Sequence, residues 1–293
     1  MVISMNSFDE KIALLGKRIE DLEQRKKACL CNLERVSAVN DTARLMGKFL
    51  SWQCRHDNEG VPSMRDSWKL FANRDDCTLE IEDYGVYIGI NNIREWFEKF
   101  GSVKPFKGVM FDHHLATPQI VVAGDCQTAR AVWQSPGHET DPRYGIDGGS
   151  EESKPVATWC WGRIQAAFIK MDGEWKMWHY HFYLLFRIPF YTAWTDYYPS
   201  DIQKGGPRNN PAYDKYNLPE PDGKPTYHHP FTSETIQIPV PDCPAPYETW
   251  SDELPWPTRS QVFMAEEPRV VHEHIYSRRG VAPSRTDKSG GRQ

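Results

Sequence analysis

The residues most able to move a proton are histidines. His113 opens an extended-looking run, Phe111–Val122, in which side chains alternate between faces. His113, Leu115 and Thr117 therefore share one face, and His114 points to the other. His179 and His181 form an H-x-H pair on a second run and share a face with Trp175 and Met177. A buried imidazole titrating near neutrality can take a proton from carbon or oxygen and return it elsewhere. The plainer reading is a core histidine with both nitrogens satisfied or, for the pair, an interface. Three imidazoles could in principle hold a transition metal, which would make a metal-dependent enzyme a third possibility. No third ligand stands at a diagnostic spacing, however, and no metal or cofactor is expected. Tyr87 offers a phenolic donor to a substrate oxygen, or else is a core tyrosine with a tethered hydroxyl. Lys104 and Lys107 could form a Schiff base only if desolvated, and solvated loop lysines are commoner. His228-His229 and His272-x-His274 read as surface or interface residues.

Other chemistries lack their signatures. The chain has no G-x-G-x-x-G, no Walker loop, no G-x-S-x-G elbow and no H-E-x-x-H, which argues against nicotinamide, flavin, nucleotide and serine-hydrolase readings. A net charge of -5 provides no basic footprint for nucleic acid. The opening MVISMNSFDE carries no basic and apolar leader. No run approaches the roughly 18 apolar residues of a membrane span; Phe182–Phe190 is short and broken by Arg187 and Pro189. Seven cysteines without a C-x-x-C pair read as reduced thiols of a cytoplasmic protein.

The elements that must position these residues fall into three zones, 1–40, 41–192 and 193–293. Residues 8 to about 56 read as helix, with Ile12, Leu15, Ile19, Leu22, Cys29, Leu33 and Val36 recurring at steps of three and four, and Lys26 interrupting. Such a seam suits either a coiled coil with a second chain or a helix lying on its own domain. In the middle zone, Asp66–Phe71 reads as a short helix, Cys77–Tyr87 as strands and Ile93–Phe100 as an amphipathic helix ending at Gly101. Phe111–Val122, Thr128–Gln134 and Thr158–Met171 then read as strands, and Asp172-Gly173 turns the last of them into Trp175–Phe186. Residues 135–155 carry nearly every loop-forming type and read as one long excursion. Fifteen of the 22 prolines lie beyond position 194. Recurring rings such as Tyr227, Tyr247 and Trp250 make that zone an extended arm laid on the core or on a neighbouring subunit, with a frayed end.

This order implies an α+β fold. Three of its blocks resemble the SnoaL-like branch of the nuclear transport factor 2-like superfamily: Gly85-Val-Tyr-Ile-Gly89 leading to Ile93 and Trp96-Phe97; His113 through Asp125 leading to Thr128-Ala-Arg-Ala131; and Ala167 through Met177. The resemblance covers roughly the middle 130 residues and implies a curled antiparallel sheet forming a cone with packed helices. In scytalone-dehydratase-like members a histidine stands where His113 does. The family's inward-facing Trp and aliphatic on the last strand imply that His179 and His181 also approach the cavity. The family often pairs the strand histidine with an aspartate near the end of the first long helix. Asp57 is the candidate here, although the family position falls closer to Cys54.

These features lead to a cofactor-independent lyase acting on a small aromatic or polycyclic oxygenated compound, by dehydration or loss of formaldehyde. His113 would be the acid or base, with His179, His181 and Tyr87 polarising oxygens and Asp57 orienting His113. The alternative is a non-catalytic ligand-binding or assembly module of the same fold. Small molecules, rather than nucleic acid or membrane, are the expected partners. A homodimer or homotrimer sealed by the arm is also expected.

Overall fold

A computed structural model of the chain describes residues 5–55, 60–81, 84–102, 108–141, 156–195, 217–227, 230–231 and 240–251. Helix α1, Met5–Gln53, is followed by a 3-10 helix, Met64–Leu70. Strands β1 (Thr78–Ile81) and β2 (Val86–Ile88) then lead into helix α2, Ile90–Phe100. Six further strands complete the fold: β3 (Met110–His113), β4 (Ala116–Val122), β5 (Thr128–Ser135), β6 (Gly137–Asp141), β7 (Val156–Met171) and β8 (Glu174–Pro189). The mixed α+β class and the curled, open sheet agree with the cone expected.

The eight strands form one sheet whose main path runs β2-β1-β8-β7-β5-β4, with β3 pairing β6 and β6 pairing β7. Its axis is the β7–β8 hairpin. Asp172 and Gly173 adopt the left-handed φ values, 51° and 82°, that a two-residue turn between twisted strands requires. β7 is long enough to pair with two strands end to end: its first part lies against β6 and its second against β5. Two expectations are corrected here. Phe111–Val122 is not one strand but two, β3 and β4, separated at His114-Leu115. The segment from 135 is not all excursion, since β6 is held by β3 on one side and β7 on the other. Both breaks lie at the same level: Pro136 interrupts β5–β6, and its carbonyl accepts from His114 N at 3.0 Å. A sheet broken across adjacent strands at one level can curl there, and the curl forms the end of the cone.

The end of α1, the 3-10 helix and α2 pack on the inner face. Phe49, Phe71, Phe97 and Tyr180 meet there in edge and tilted contacts with ring centroids 5.0–6.1 Å apart. The arm covers the outer face of the same chain. Trp250 packs on Trp178 at 4.6 Å, the backbone of Tyr247 and Glu248 accepts from Gly124 and Asp125, and Leu218 and Tyr227 are buried. The first part of α1 leaves the domain: Ile12, Leu15, Ile19, Leu22, Leu33 and Val36 are all more than half exposed. All seven cysteines are free thiols. Among the described residues, no helix is long and apolar enough to cross a membrane.

Candidate active site

A cavity of about 80 Å³ opens on the inner face, between the end of α1, α2 and the strands β3, β6, β7 and β8. That volume could hold several ordered waters or a compound of about one ring. Its lining is mostly apolar, including Tyr84, Trp96, Phe111 and Phe182, with His113, Glu139, Arg187, Ser135 and Cys54 among the polar exceptions.

Strand alternation turns His113 inward, as read from the sequence, and leaves Asp112 and His114 exposed. His113 Nε2 lies 3.0 Å from Glu139 Oε1. Arg187 Nε donates to Glu139 Oε2 at 3.0 Å, and Arg187 Nη2 to Oε1 at 3.3 Å. Burial alone would raise the Glu139 carboxyl, but the Arg187 guanidinium and the hydrogen bond from His113 outweigh it and hold it well below the usual carboxylate range. Glu139 is thus a buried anion at neutral pH and accepts the Nε2 proton of His113. Gly137 lies directly opposite His113 in the β3–β6 pairing. A Cβ there would collide with the Nδ1 side of the ring, so the imidazole can take this position only beside a glycine. Phe182 meets the same ring edge to face at 5.9 Å.

Of the other expected site residues, His179, His181 and Tyr87 are not brought to this cavity. His179 and His181 lie on the outer face. Met177 is inward, but a bulge at Trp178 places Phe168 opposite Met177 and Ala167 opposite His179, so the alternation reverses. Tyr180 and Phe182 therefore line the cavity instead. His179 Nδ1 lies 3.1 Å from Thr78 Oγ1, and its ring stacks on Trp178 at 4.6 Å, with the Trp250 ring 5.9 Å away. His181 Nε2 lies 3.2 Å from Glu80 Oε1, with the ring stacked on Tyr183. Tyr87 is buried behind α2 and donates to the Pro219 carbonyl at 3.2 Å, away from the cavity. Asp57, Lys104, Lys107, His228, His229, His272 and His274 lie outside the described residues. Cys54, at the end of α1, does line the cavity, and burial raises its thiol pKa, so it stays protonated.

Two residues of the site, Glu139 and Arg187, were not anticipated. A second bulge, at Leu185, returns Arg187 to the inner face opposite Cys160. One signal was available: an arginine inside the apolar run Phe182–Phe190 must find a buried counter-charge. Locating that charge, however, needed the pairing of β6. Three further lining residues, Gln53, Trp96 and Ser135, carry buried polar atoms (Nε2, Nε1 and Oγ) with no hydrogen-bond partner among the described residues. Such atoms call for a ligand or an ordered water.

The match to known families falls on this part of the chain: the SnoaL-like domain family covers residues 65–181. Residues 65–181 are a SnoaL-like domain. The SnoaL-like domain thus includes His113 and Glu139, while Arg187 lies just beyond the matched segment. No curated protein sequence matches the chain. Among solved structures, a candidate scytalone dehydratase from Novosphingobium aromaticivorans is similar at 15% identity and a TM-score of 0.38, over 56% of this chain and 91% of that one. A hexachlorocyclohexane dehydrochlorinase, LinA type 2, is similar at 12% identity and a TM-score of 0.42, over 57% and 97%. A candidate dehydratase of the NTF2-like family from Streptomyces avermitilis is similar at 13% and 0.39, over 51% and 98%. At these scores the likenesses carry no argument about chemistry, which rests on the site itself.

Proposed function

We propose that this SnoaL-like protein is a cofactor-independent lyase that eliminates water, or releases formaldehyde, from a small oxygenated aromatic compound. One observation carries the reading: His113 is paired with a buried, ionised Glu139 in an apolar cavity that also holds unpartnered donors. Glu139 fixes the tautomer by accepting from Nε2, leaving Nδ1 as the basic nitrogen. In a dehydration, Nδ1 takes the proton α to a carbonyl. The C–H electron pair becomes the new C=C bond as the β C–O bond breaks, and the departing hydroxyl receives the proton as water. Glu139 stabilises the imidazolium between the two transfers, and Ser135, Trp96 or Gln53 can donate to the developing enolate oxygen. The cavity volume favours a compound of one ring over a polycyclic one.

The test uses a panel of single-ring β-hydroxy ketones, followed by the absorbance of the conjugated product and by α-proton exchange in deuterated water. His113→Ala should lose roughly 10²–10⁴-fold in rate. Full turnover by that variant would remove the mechanism. Ring compounds that bind without exchange or elimination would instead support a binding module. That second reading gains from Arg187, because a closed Arg–Glu–His cluster can also be purely structural.

We also propose that the exposed α1 seam is covered by a second copy of the chain. Ile12, Leu15, Ile19 and Leu22 keep the three-four spacing of a coiled coil, and a single chain leaves all four in water. Light scattering should give a multiple of 33.9 kDa, and Leu15→Glu with Leu22→Glu should return the monomer mass. A wild-type monomer would exclude this assembly.

A further inference from the structure

The inner face of β3 and β6 carries His113 and Glu139, and the outer face of the same two strands carries a second constellation. Asp112 and His138 are directly opposed across the pair, and His114, two residues beyond Asp112, turns to the same side. We propose that Asp112, His114 and His138 bind a divalent transition metal of the zinc class as a structural clamp. The donor set is two imidazoles and one carboxylate, which suits zinc, cobalt, nickel or copper rather than magnesium or calcium. One potential ligand atom from each residue lies within 4.8 Å of the other two. His114 Nε2 is already 3.2 Å from Asp112 Oδ2, close to the separation of about 3.4 Å that metal–ligand bonds of about 2.1 Å impose in a tetrahedron. His138 brings its donor atom within 4.8 Å of both. Its ring rests against Trp159 at 4.8 Å, which limits its freedom, while half-exposed His114 can turn to close the gap. The remaining coordination position faces solvent, where a water would complete it.

A rival cluster, His113, Glu139 and Cys160, also has its donor atoms within reach of one another. It is a poor cation site, because both Glu139 oxygens accept from Arg187 and the guanidinium would face the incoming ion. Among the described residues, no lysine or arginine pairs with the outer triad. Metal there would tie the edge strand β3 to β6, the two strands that seat His113 against Glu139. It takes no part in the proposed reaction and does not depend on it.

The test is titration of the untagged full chain with Zn²⁺ by calorimetry, and with Co²⁺ by visible absorption. One equivalent should bind, the cobalt form should lack the near-ultraviolet thiolate band that Cys160 would give, and Zn²⁺ should raise the melting temperature. His114→Ala and His138→Ala should each weaken binding by at least about tenfold, as loss of even a supporting residue commonly does. Their double variant should bind none and should lose the metal-dependent shift. His114 is exposed and His138 only partly buried against Trp159, so circular dichroism should match wild type and the metal-free melting temperature should fall little, least for His114→Ala. Absence of binding at micromolar Zn²⁺, a thiolate band, or unchanged binding by the double variant would each overturn the proposal.

Discussion

The two faces of the sheet each bury a histidine–glutamate pair at nearly the same distance, 3.0 Å for His113–Glu139 and 3.2 Å for His181–Glu80. Their electrostatics are opposite. Inside, Arg187 overcomes the effect of burial, and Glu139 remains an anion. Outside, burial dominates at Glu80 and raises its carboxyl to about 8, although Thr226 N and Oγ1 and Tyr227 N donate to it. Glu80 is thus largely the neutral acid at pH 7. Residue types and spacing alone do not decide which pair can do chemistry; the neighbouring cation does. An ionised partner can hold an imidazolium during proton transfer, whereas a neutral one under a covering arm serves to hold the arm.

Removing the cation should have the largest effect on this contrast. Arg187→Leu leaves Glu139 as a buried charge with only His113 beside it, at a cost of up to about 3–5 kcal/mol. The urea midpoint should fall accordingly, and the double variant Arg187→Leu with Glu139→Leu should recover most of the loss. If the single variant is as stable as wild type, Arg187 is not what keeps Glu139 ionised.

The outer pair should reveal itself through pH. Glu80 has a raised carboxyl in the folded state, near 8 against 4.5 for the free group, so the folded state binds its proton more tightly. Its contribution to stability is complete below about pH 4.5, declines as the unfolded chain ionises, and is lost by about pH 8. The change is on the order of a few kcal/mol. Glu80→Gln keeps an acceptor for Thr226 and removes the titration. It should flatten stability between pH 5 and 8 and be the more stable protein at alkaline pH. Parallel curves for variant and wild type would mean that Glu80 is already ionised in the folded state. Glu139 has the opposite sign: its lowered carboxyl contributes stability above the ordinary carboxylate range that is lost as the pH falls well into the acid.

The contrast between the faces also marks what could be read from sequence. The cone was legible because its signals are local. Asp172-Gly173 turns the long hairpin, Gly85–Gly89 leads into α2, and strict alternation places His113 inward. Alternation failed on β8 because bulges at Trp178 and Leu185 reverse it twice, first sending His179 and His181 outward and then bringing Arg187 inward. Neither bulge has a glycine or proline on β8 to announce it; the small residue that accommodates the second is Gly162, on the partner strand. Glu139 was hidden differently. His138-Glu-Thr-Asp141 lies among loop-forming residues, and only pairing with β3 and β7 makes it a strand. The family-based choice of Asp57 drew attention to the helix end, whereas the carboxylate on His113 comes from the sheet.

A smaller effect is expected from Gly137→Ala, which brings a methyl group against the Nδ1 side of His113. Overpacking of this kind costs about 1–3 kcal/mol. The pocket should also lose activity or ligand affinity out of proportion, because the obstructed nitrogen is the one proposed to carry the proton. Unchanged chemistry in a folded Gly137→Ala protein would assign the proton to Nε2 instead.

The smallest effect tests whether the two faces are independent. On the outer face Arg130 lies over the rings of Tyr247 at 4.2 Å and Trp250 at 4.7 Å, while Tyr247 Oη meets Thr128 Oγ1 at 3.0 Å. Arg130→Met keeps an apolar stem beneath the arm and removes the charge, so the loss should be that of a partly buried cation–π contact, about 0.5–2 kcal/mol. Proteolysis within 240–251 should become faster while ligand affinity in the inner cavity stays at the wild-type value. A change in affinity would show that clamping the arm strains or positions the strands beneath it. Arg130 lies opposite Ala167 on β7, and Ala167 lies opposite His179 on β8, so any such coupling would have to pass through the backbone of the long hairpin.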